Sequence, residues 1–288
     1  MKADQYHSSP GLSASLAKML LAKSPYHAWM QSPLNPDRNP LEASRLDIGT
    51  AAHALLLEGR DVIAVCDYDD WRTKAAQAAR DDARAIGRIP LLTHQAADVE
   101  AMYQAAIETS LQAGYDLAHG KPEQSFFWTD NGTAMRARLD WVSDDRTLII
   151  DYKTTGLESP EAWMRAMTGA GMDVQAAHYI NAVEQDEGSP RPEFVFMVQE
   201  TDAPYLVYFV EPSAAMLEIG AQKMQIARKR WQACIDANEW PGYGHGVMIA
   251  EPPAWSLADI EDKMITQETW NELAFRFGKV APKERYTK

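Results

Sequence analysis

Cysteine is nearly absent from this chain, with Cys66 and Cys234 the only two. Two thiols are too few for a disulfide framework, a zinc centre or an iron–sulfur cluster, and their scarcity suits a reducing cytosol. Long apolar runs are missing as well. Nothing approaches the ~20 residues needed to span a bilayer, and Met1 to Ser15 lacks a positive segment followed by an apolar core. A soluble cytoplasmic protein without membrane association is expected. Positive charge is scarce, with 28 Lys and Arg against 41 Asp and Glu and a net charge of −13. That balance opposes a polyanionic partner unless basic residues gather locally. Candidate groupings are Arg72, Lys74, Arg80, Arg84 and Arg88, and Lys223, Arg228, Lys229 and Arg230, although such runs on helices usually mark solvated faces. No internal repeat or heptad seam is present.

What the chain does contain is apolar material, 46% of 288 residues with nine tryptophans, enough for a large core in one elaborate domain. The expected domain spans residues 1–245, mainly helical over 1–120, a sheet core over 121–212 and a long helix over 213–240. Residues 246–288 form an appendage. Helical segments are expected at Leu12 to Trp29 and Gly49 to Leu57, separated by a Pro33 to Pro40 loop, and then at about Trp71 to Ile86 and Thr93 to Ala113. Sheet residues follow from about Gln124 to Thr154, with Asn131-Gly132 as a hairpin turn. A helix at Gln175 to Glu184 leads to strands at Glu193 to Gln199 and Tyr205 to Val210. The last long helix, Ser213 to Asn238, carries an apolar stripe at Leu217, Met224, Ala227, Trp231 and Cys234. Helices before and behind a mixed sheet give an α/β fold with helices on both faces. In the tail, a short helix is expected near Gln267 to Phe277, before a basic end at Lys279, Lys283, Arg285 and Lys288. Trp255, Trp270 and Phe275 pack on the domain or dock a partner.

The most informative stretch is Arg136 to Thr155. The apolar run from Thr147 follows a Ser143-Asp144-Asp145 turn and a partner strand from Met135 to Val142, giving adjacent antiparallel strands. Side chains two apart share a strand face at roughly 6–7 Å, so Asp151 and Lys153 point one way and Tyr152 the other. Asp140, on the neighbouring strand, can be placed on the same face. Converging carboxylates repel unless a cation joins them, and hard oxygen ligands suit Mg²⁺, with Mn²⁺ as a substitute, as one or two ions. Leu148, Ile149 and Ile150 bury this strand on both faces, and a buried acid needs a partner. Metal-dependent phosphodiester chemistry is the expected function. Lys153 either holds the nucleophilic water or helps to deprotonate it.

An upstream Asp followed by an apolar strand ending in Asp-x-Lys resembles the PD-(D/E)XK nuclease superfamily. Gly49-Thr50-Ala51-Ala52-His53-Ala54-Leu55-Leu56-Leu57-Glu58-Gly59 is similar to the helix with which RecB-type nucleases present a histidine to metal. Gln175-Ala176-Ala177-His178-Tyr179 is similar to their Gln-x-x-x-Tyr helix. The opening, from Tyr6-His7-Ser8-Ser9 to Ser24-Pro25-Tyr26-His27, and the late Trp240-Pro241-Gly242-Tyr243 resemble RecE-type phage and prophage exonucleases, over about residues 5 to 245. The superfamily's literal proline is absent, and Asp stands for Glu at 151.

The resemblance implies a restriction-endonuclease-like core, with His53, Asp140, Asp151 and the backbone carbonyl of Tyr152 as metal ligands. It implies Lys153 as the catalytic lysine, Gln175 and Tyr179 contacting the scissile nucleotide or orienting Lys153, and Glu123 serving the site from the first strand. It also implies a 5′-to-3′ exonuclease on linear duplex DNA, feeding recombination as a ring-shaped trimer or tetramer, with a single-strand annealing protein as a possible partner. Alternatives are a single-strand exonuclease, a structure-specific endonuclease, or an inactive DNA-binding subunit of a recombination complex. Arg138 is the candidate phosphate contact, or else an outward-facing structural arginine. His178 lies roughly 100° around the helix from Tyr179 and reads as structural. His7, His27, His94, His119 and His245 show no ligand spacing.

Overall fold

The computed structural model describes residues 3–38, 48–157, 159–186, 188–244 and 246–277. Pro40, His245 and the basic end at Lys279, Lys283, Arg285 and Lys288 lie outside the described residues, as does the Phe275 side chain. The chain divides into two compact units, 1–243 and 244–288.

The first unit runs α1 (Ala3–Ser8), α2 (Ala14–Ala22), α3 (Pro25–Gln31), α4 (Ile48–Glu58), β1 (Ile63–Cys66), α5 (Lys74–Ala85), β2 (Ile89–Leu92) and α6 (Thr93–Gln112). It continues through β3 (Gly120–Asp130), β4 (Thr133–Ser143), β5 (Leu148–Thr155), α7 (Pro160–Met167), α8 (Met172–Glu184), β6 (Glu193–Glu200), β7 (Val207–Val210) and α9 (Ala214–Ala237). Helix starts follow local chemistry. Ser13, Ser24, Thr73, Ser159 and Ser213 each accept a first-turn amide through the side-chain oxygen, and Pro25 and Pro160 follow their caps, where a missing N–H costs nothing.

Strands β3 to β7 form one sheet in sequence order. It is mixed, because β5 and β6 pair in parallel while the other neighbours are antiparallel. The parallel step needs a crossover, and α7 and α8 supply it. The β3–β4 turn is Asn131-Gly132, with φ of 47° and 85°, the left-handed pair that a two-residue hairpin requires. Alternation along the strands sends side chains to two cores. Leu139, Ile149 and Phe196 pack on one face against Trp163, Ala176 and Ile180 of α7 and α8. Ile150, Tyr152 and Met197 pack on the other against Leu57 of α4 and Ala106 of α6. This is the α/β arrangement with helices on both faces expected from the sequence.

A third cluster joins α2, α3 and α9 through Leu16, Leu20, Ala28, Met224 and Trp231. Helices α8 and α9 meet at Gly220, where a Cβ would lie 2.0 Å from the Asp173 carbonyl oxygen. The amino-terminal segment is tied to the sheet by backbone bonds between Leu12 and Ala134 and between Arg136 and Leu12, at 2.9 and 3.1 Å. They occupy the edge of β4 that β5 leaves, since β5 registers against β4 only at Trp141 and Val142.

Several elements depart from the sequence reading: α1 was not expected, and the segment from Leu12 to Trp29 is broken at Lys23 and Ser24 into α2 and α3. Strands β1 and β2, four residues each, form a separate parallel pair, helix α7 was not expected, and the second unit carries α10 (Ala254–Phe277), far longer than the short helix anticipated. Strands this short are too brief for an alternation signal, and Pro90 further masks β2. Among the described residues no helix is long and apolar enough to cross a membrane.

Candidate active site

The site forms where the β4–β5 ladder ends. Beyond Trp141 and Ile150 the Asp140 side chain replaces the backbone partner, its Oδ2 accepting from the Tyr152 amide at 3.0 Å. That fixes the carboxylate over the start of the Asp-x-Lys segment. His53, from α4, places Nε2 3.3 Å from the same oxygen, and its ring stacks on Tyr152 at 5.8 Å. The Tyr152 hydroxyl bonds to buried Gln199, whose amide donates to the Met102 and Tyr205 carbonyls at 2.9 and 3.1 Å, so the residue between the two site side chains is anchored in the core.

Glu123 enters from β3. The β3–β4 register pairs Pro122 with Trp141 and Gln124 with Leu139, which sets Glu123 opposite Asp140. Directly opposed acids repel. Glu123 also adopts φ of 56°, a left-handed conformation that costs a non-glycine residue roughly 1–2 kcal/mol and is found where surrounding structure enforces it. Arg138 compensates, pairing with Glu123 and donating to Ser125 Oγ at 3.1 Å. Burial lifts the Glu123 carboxyl above its usual range despite that guanidinium. The candidate phosphate contact is thus engaged inside the protein.

Lys153 and Asp151 leave β5 on one face and touch, and the ammonium is also 3.9 Å from Asp140 Oδ2. Burial opposes the Lys153 charge, but two carboxylates outweigh it and raise its pKa. Asp151 is fully buried; burial and the Asp140 charge lift its carboxyl above the usual range against the pull of one ammonium. Asp140 moves down, because Lys153, His53 and the Tyr152 amide together exceed its burial penalty. Burial likewise opposes the His53 imidazolium, and Asp140 overcomes it, raising the pKa. Two acids are thereby driven apart, an arrangement typical of acid–base sites.

On α8, Gln175 donates to Asp151 Oδ1 at 2.7 Å and accepts from Lys18 of α2 at 3.0 Å. The Tyr179 hydroxyl shares a hydrogen bond with Gln175, and burial pushes its pKa well up. Lys18 was not foreseen. No local pattern marks it, since it reaches the site from 157 positions before Gln175. Burial and the Lys153 charge press its pKa down. His178 is buried away from these groups, bonding to the Arg136 carbonyl at 2.9 Å.

Among the described residues, His53, Glu123 and Asp140 offer ligand atoms all within 4.8 Å of one another. Carboxylates with one imidazole suit Mn²⁺ or Mg²⁺. Asp151 Oδ2, fully buried, is held by the Lys153 ammonium, so the ligand set rests on the other three residues and their converging acids. The residues therefore fit a divalent ion. Glu123, expected in a supporting role, stands in the three-residue cluster, while Asp151 faces Gln175 and Lys153.

A family model described as a PDDEXK-like domain of unknown function (DUF3799) matches residues 13–251. A candidate exonuclease from Eubacterium rectale superposes with a TM-score of 0.58 at 12% identity, covering 88% of this chain and 96% of that one. A phage-related exonuclease from Haemophilus somnus gives a TM-score of 0.32 at 13% identity, covering 65% of this chain and 95% of that one, and carries no fold argument. No curated protein sequence matches the chain.

Proposed function

The chain belongs to the PDDEXK-like family described as DUF3799, as its sequence resemblance anticipates, and from that premise we propose that it is a metal-dependent DNA exonuclease. The observation that carries this reading is the convergence of His53, Glu123 and Asp140 within 4.8 Å, beside the Lys153–Asp151 ion pair. In this proposal His53, Glu123, Asp140, Asp151 and the Tyr152 carbonyl hold Mg²⁺ or Mn²⁺. A bound ion would polarise a phosphoryl oxygen and lower the pKa of water.

The protein's own groups do the rest. The Asp151 and Asp140 carboxylates beside Lys153 favour its charged form, which supports a role in holding the water or a phosphate oxygen as a cation. Gln175 fixes Asp151 Oδ1, and Oδ2, held by the Lys153 ammonium, would be shared with a bound ion. Tyr179, bonded to Gln175, positions that amide. The proposal extends to 5′-to-3′ polarity on linear duplex ends, a role in recombination beside an annealing protein, and a ring-shaped homo-oligomer; these rest on the RecE-type resemblance.

The test is nucleotide release from linear duplexes labelled at the 5′ or 3′ end, in Mg²⁺, Mn²⁺ or EDTA, with a closed circle as control. Metal-dependent loss of the 5′ label is expected, with Lys153→Ala and Asp140→Asn each slower by about 10²- to 10³-fold. Equal turnover in the variants would remove these residues from the mechanism. Cleavage of the circle would exclude a strict exonuclease, and no turnover in either metal would leave only DNA binding.

A further inference from the structure

Beside the site, on the far side of Gln175, lies an open groove of about 640 Å³ between the end of α2, the 168–171 turn and one face of α9. Its cations are Lys18, Lys23, Lys223 and Arg230, and no acidic residue lines it. In a chain of net charge −13 such a patch runs against the composition. The acid beneath it, Asp173, is buried and takes Lys223 at 2.6 Å. Lys23 and Arg230 are exposed and take no ion pair among the described residues. Positions 223, 226 and 230 share one face of α9, roughly 100° around the helix from the buried stripe of Met224, Ala227 and Trp231.

The groove is joined to the site by hydrogen bonds. Lys18 reaches Gln175, and Gln175 reaches Asp151. The path depends on Gly171, at φ of 66°, where a Cβ would meet the Lys18 side chain at 2.6 Å. Gly171 is also the N-cap of α8, whose positive end is offset by Asp173 in its first turn, so among the described residues the free cations of the groove are Lys23 and Arg230. Aromatic residues are absent from the lining, whereas Met19, Val174 and Ile226 are present. Bases would find nothing to stack on; phosphates would find cations, and sugars would find apolar surface.

We infer that this groove binds the phosphate backbone of the nucleic acid strand next to the scissile phosphate, irrespective of sequence, with Lys23 and Arg230 as outer contacts and Lys18 as the link to the site. The inference rests on the phosphodiester reading above. It locates the positive surface that the net charge lacks and places it away from Arg138 and from the basic face of α5.

The test measures binding without turnover. Anisotropy of a fluorescent duplex with a single-stranded end, in Ca²⁺ across a KCl series, is compared for the wild type, Lys23→Glu/Arg230→Glu, and Lys74→Glu/Arg84→Glu on α5. Circular dichroism melting confirms that each chain is folded. Affinity should fall at least ~10-fold for the groove variant, and the log–log salt slope should shrink by about 1.5 to 2, the release expected from two phosphate contacts. The α5 variant should match the wild type. Unchanged affinity and slope in the groove variant, or a larger loss in the α5 variant, would overturn the inference. So would absence of wild-type binding, or displacement of the duplex by mononucleotide at micromolar concentration, which would make the groove a product site. Binding through the groove by a chain that cleaves nothing would leave this inference standing and remove the nuclease reading.

Discussion

His178 carries a charge state that the fold dictates. Its Nε2 donates to the Arg136 carbonyl, its Nδ1 is buried without a partner, and burial pushes its pKa down to about 4. The unfolded chain takes up the proton near pH 6.5, so between 6.5 and 4 the unfolded state binds more protons than the native one. Stability from this residue is complete above pH 6.5 and is lost as pH falls towards 4, at up to about 1.4 kcal/mol per pH unit. Asp151, raised by burial, has the opposite sign, its native form losing stability as pH rises. The quantity to measure is therefore a difference. Urea unfolding at pH 7.5 and pH 5.0 should show a smaller pH-dependent loss for His178→Gln than for the wild type, and equal losses would mean that His178 is not held neutral. Its structural role was legible in the sequence because it lies off the Gln175–Tyr179 face. The engagement of Arg138 was not, since nothing local says that Glu123 will take its guanidinium.

At the scale of elements, the crossing of α8 and α9 is the tightest packing constraint beside the site. A Cβ at Gly220 would meet backbone, the Asp173 carbonyl at 2.0 Å, and backbone cannot rotate aside as a side chain can. Gly220→Ala should therefore force the helices apart at a cost of about 3 kcal/mol or more, lowering the melting temperature by at least ~6 °C. A melting temperature within about 1 °C of wild type would show that the crossing relaxes freely. Because α8 carries Gln175 and α9 carries Lys223 and Arg230, the same change should loosen both the site and the groove. Helix α9 was readable to within a residue, from Ser213 at its cap to Asn238 at its end, because a long amphipathic stripe and strong terminal signals agree. The β1–β2 pair was not, because parallel pairing of two four-residue strands is decided by the packing of α4, α5 and α6 around them.

For the whole molecule, the division into units 1–243 and 244–288 leads us to propose that the first folds alone. Its four apolar clusters are built from residues up to Trp240. In the second unit the described apolar side chains of α10, including Trp255, Ile260, Met264 and Trp270, are exposed. A chain ending after Tyr243 should melt within ~3 °C of the full chain and keep its far-ultraviolet spectrum per residue apart from the lost helix. A fall of 10 °C or more would make the second unit part of the core.

The order of helices and strands apart from α1, β1, β2 and α7, the Asn131-Gly132 hairpin, and Asp151 and Lys153 sharing one strand face were determined by the sequence alone, since each depends on spacing or turn chemistry within a few residues. Tertiary structure decided the rest. It opposed Glu123 to Asp140 across the β3–β4 ladder, turned Asp140 onto the Tyr152 amide, and brought Lys18 against Gln175 by packing α2 on α8 and α9. Those contacts join segments far apart in the chain, and they form only when burial of the apolar helix faces fixes how the layers stack, which no local pattern encodes.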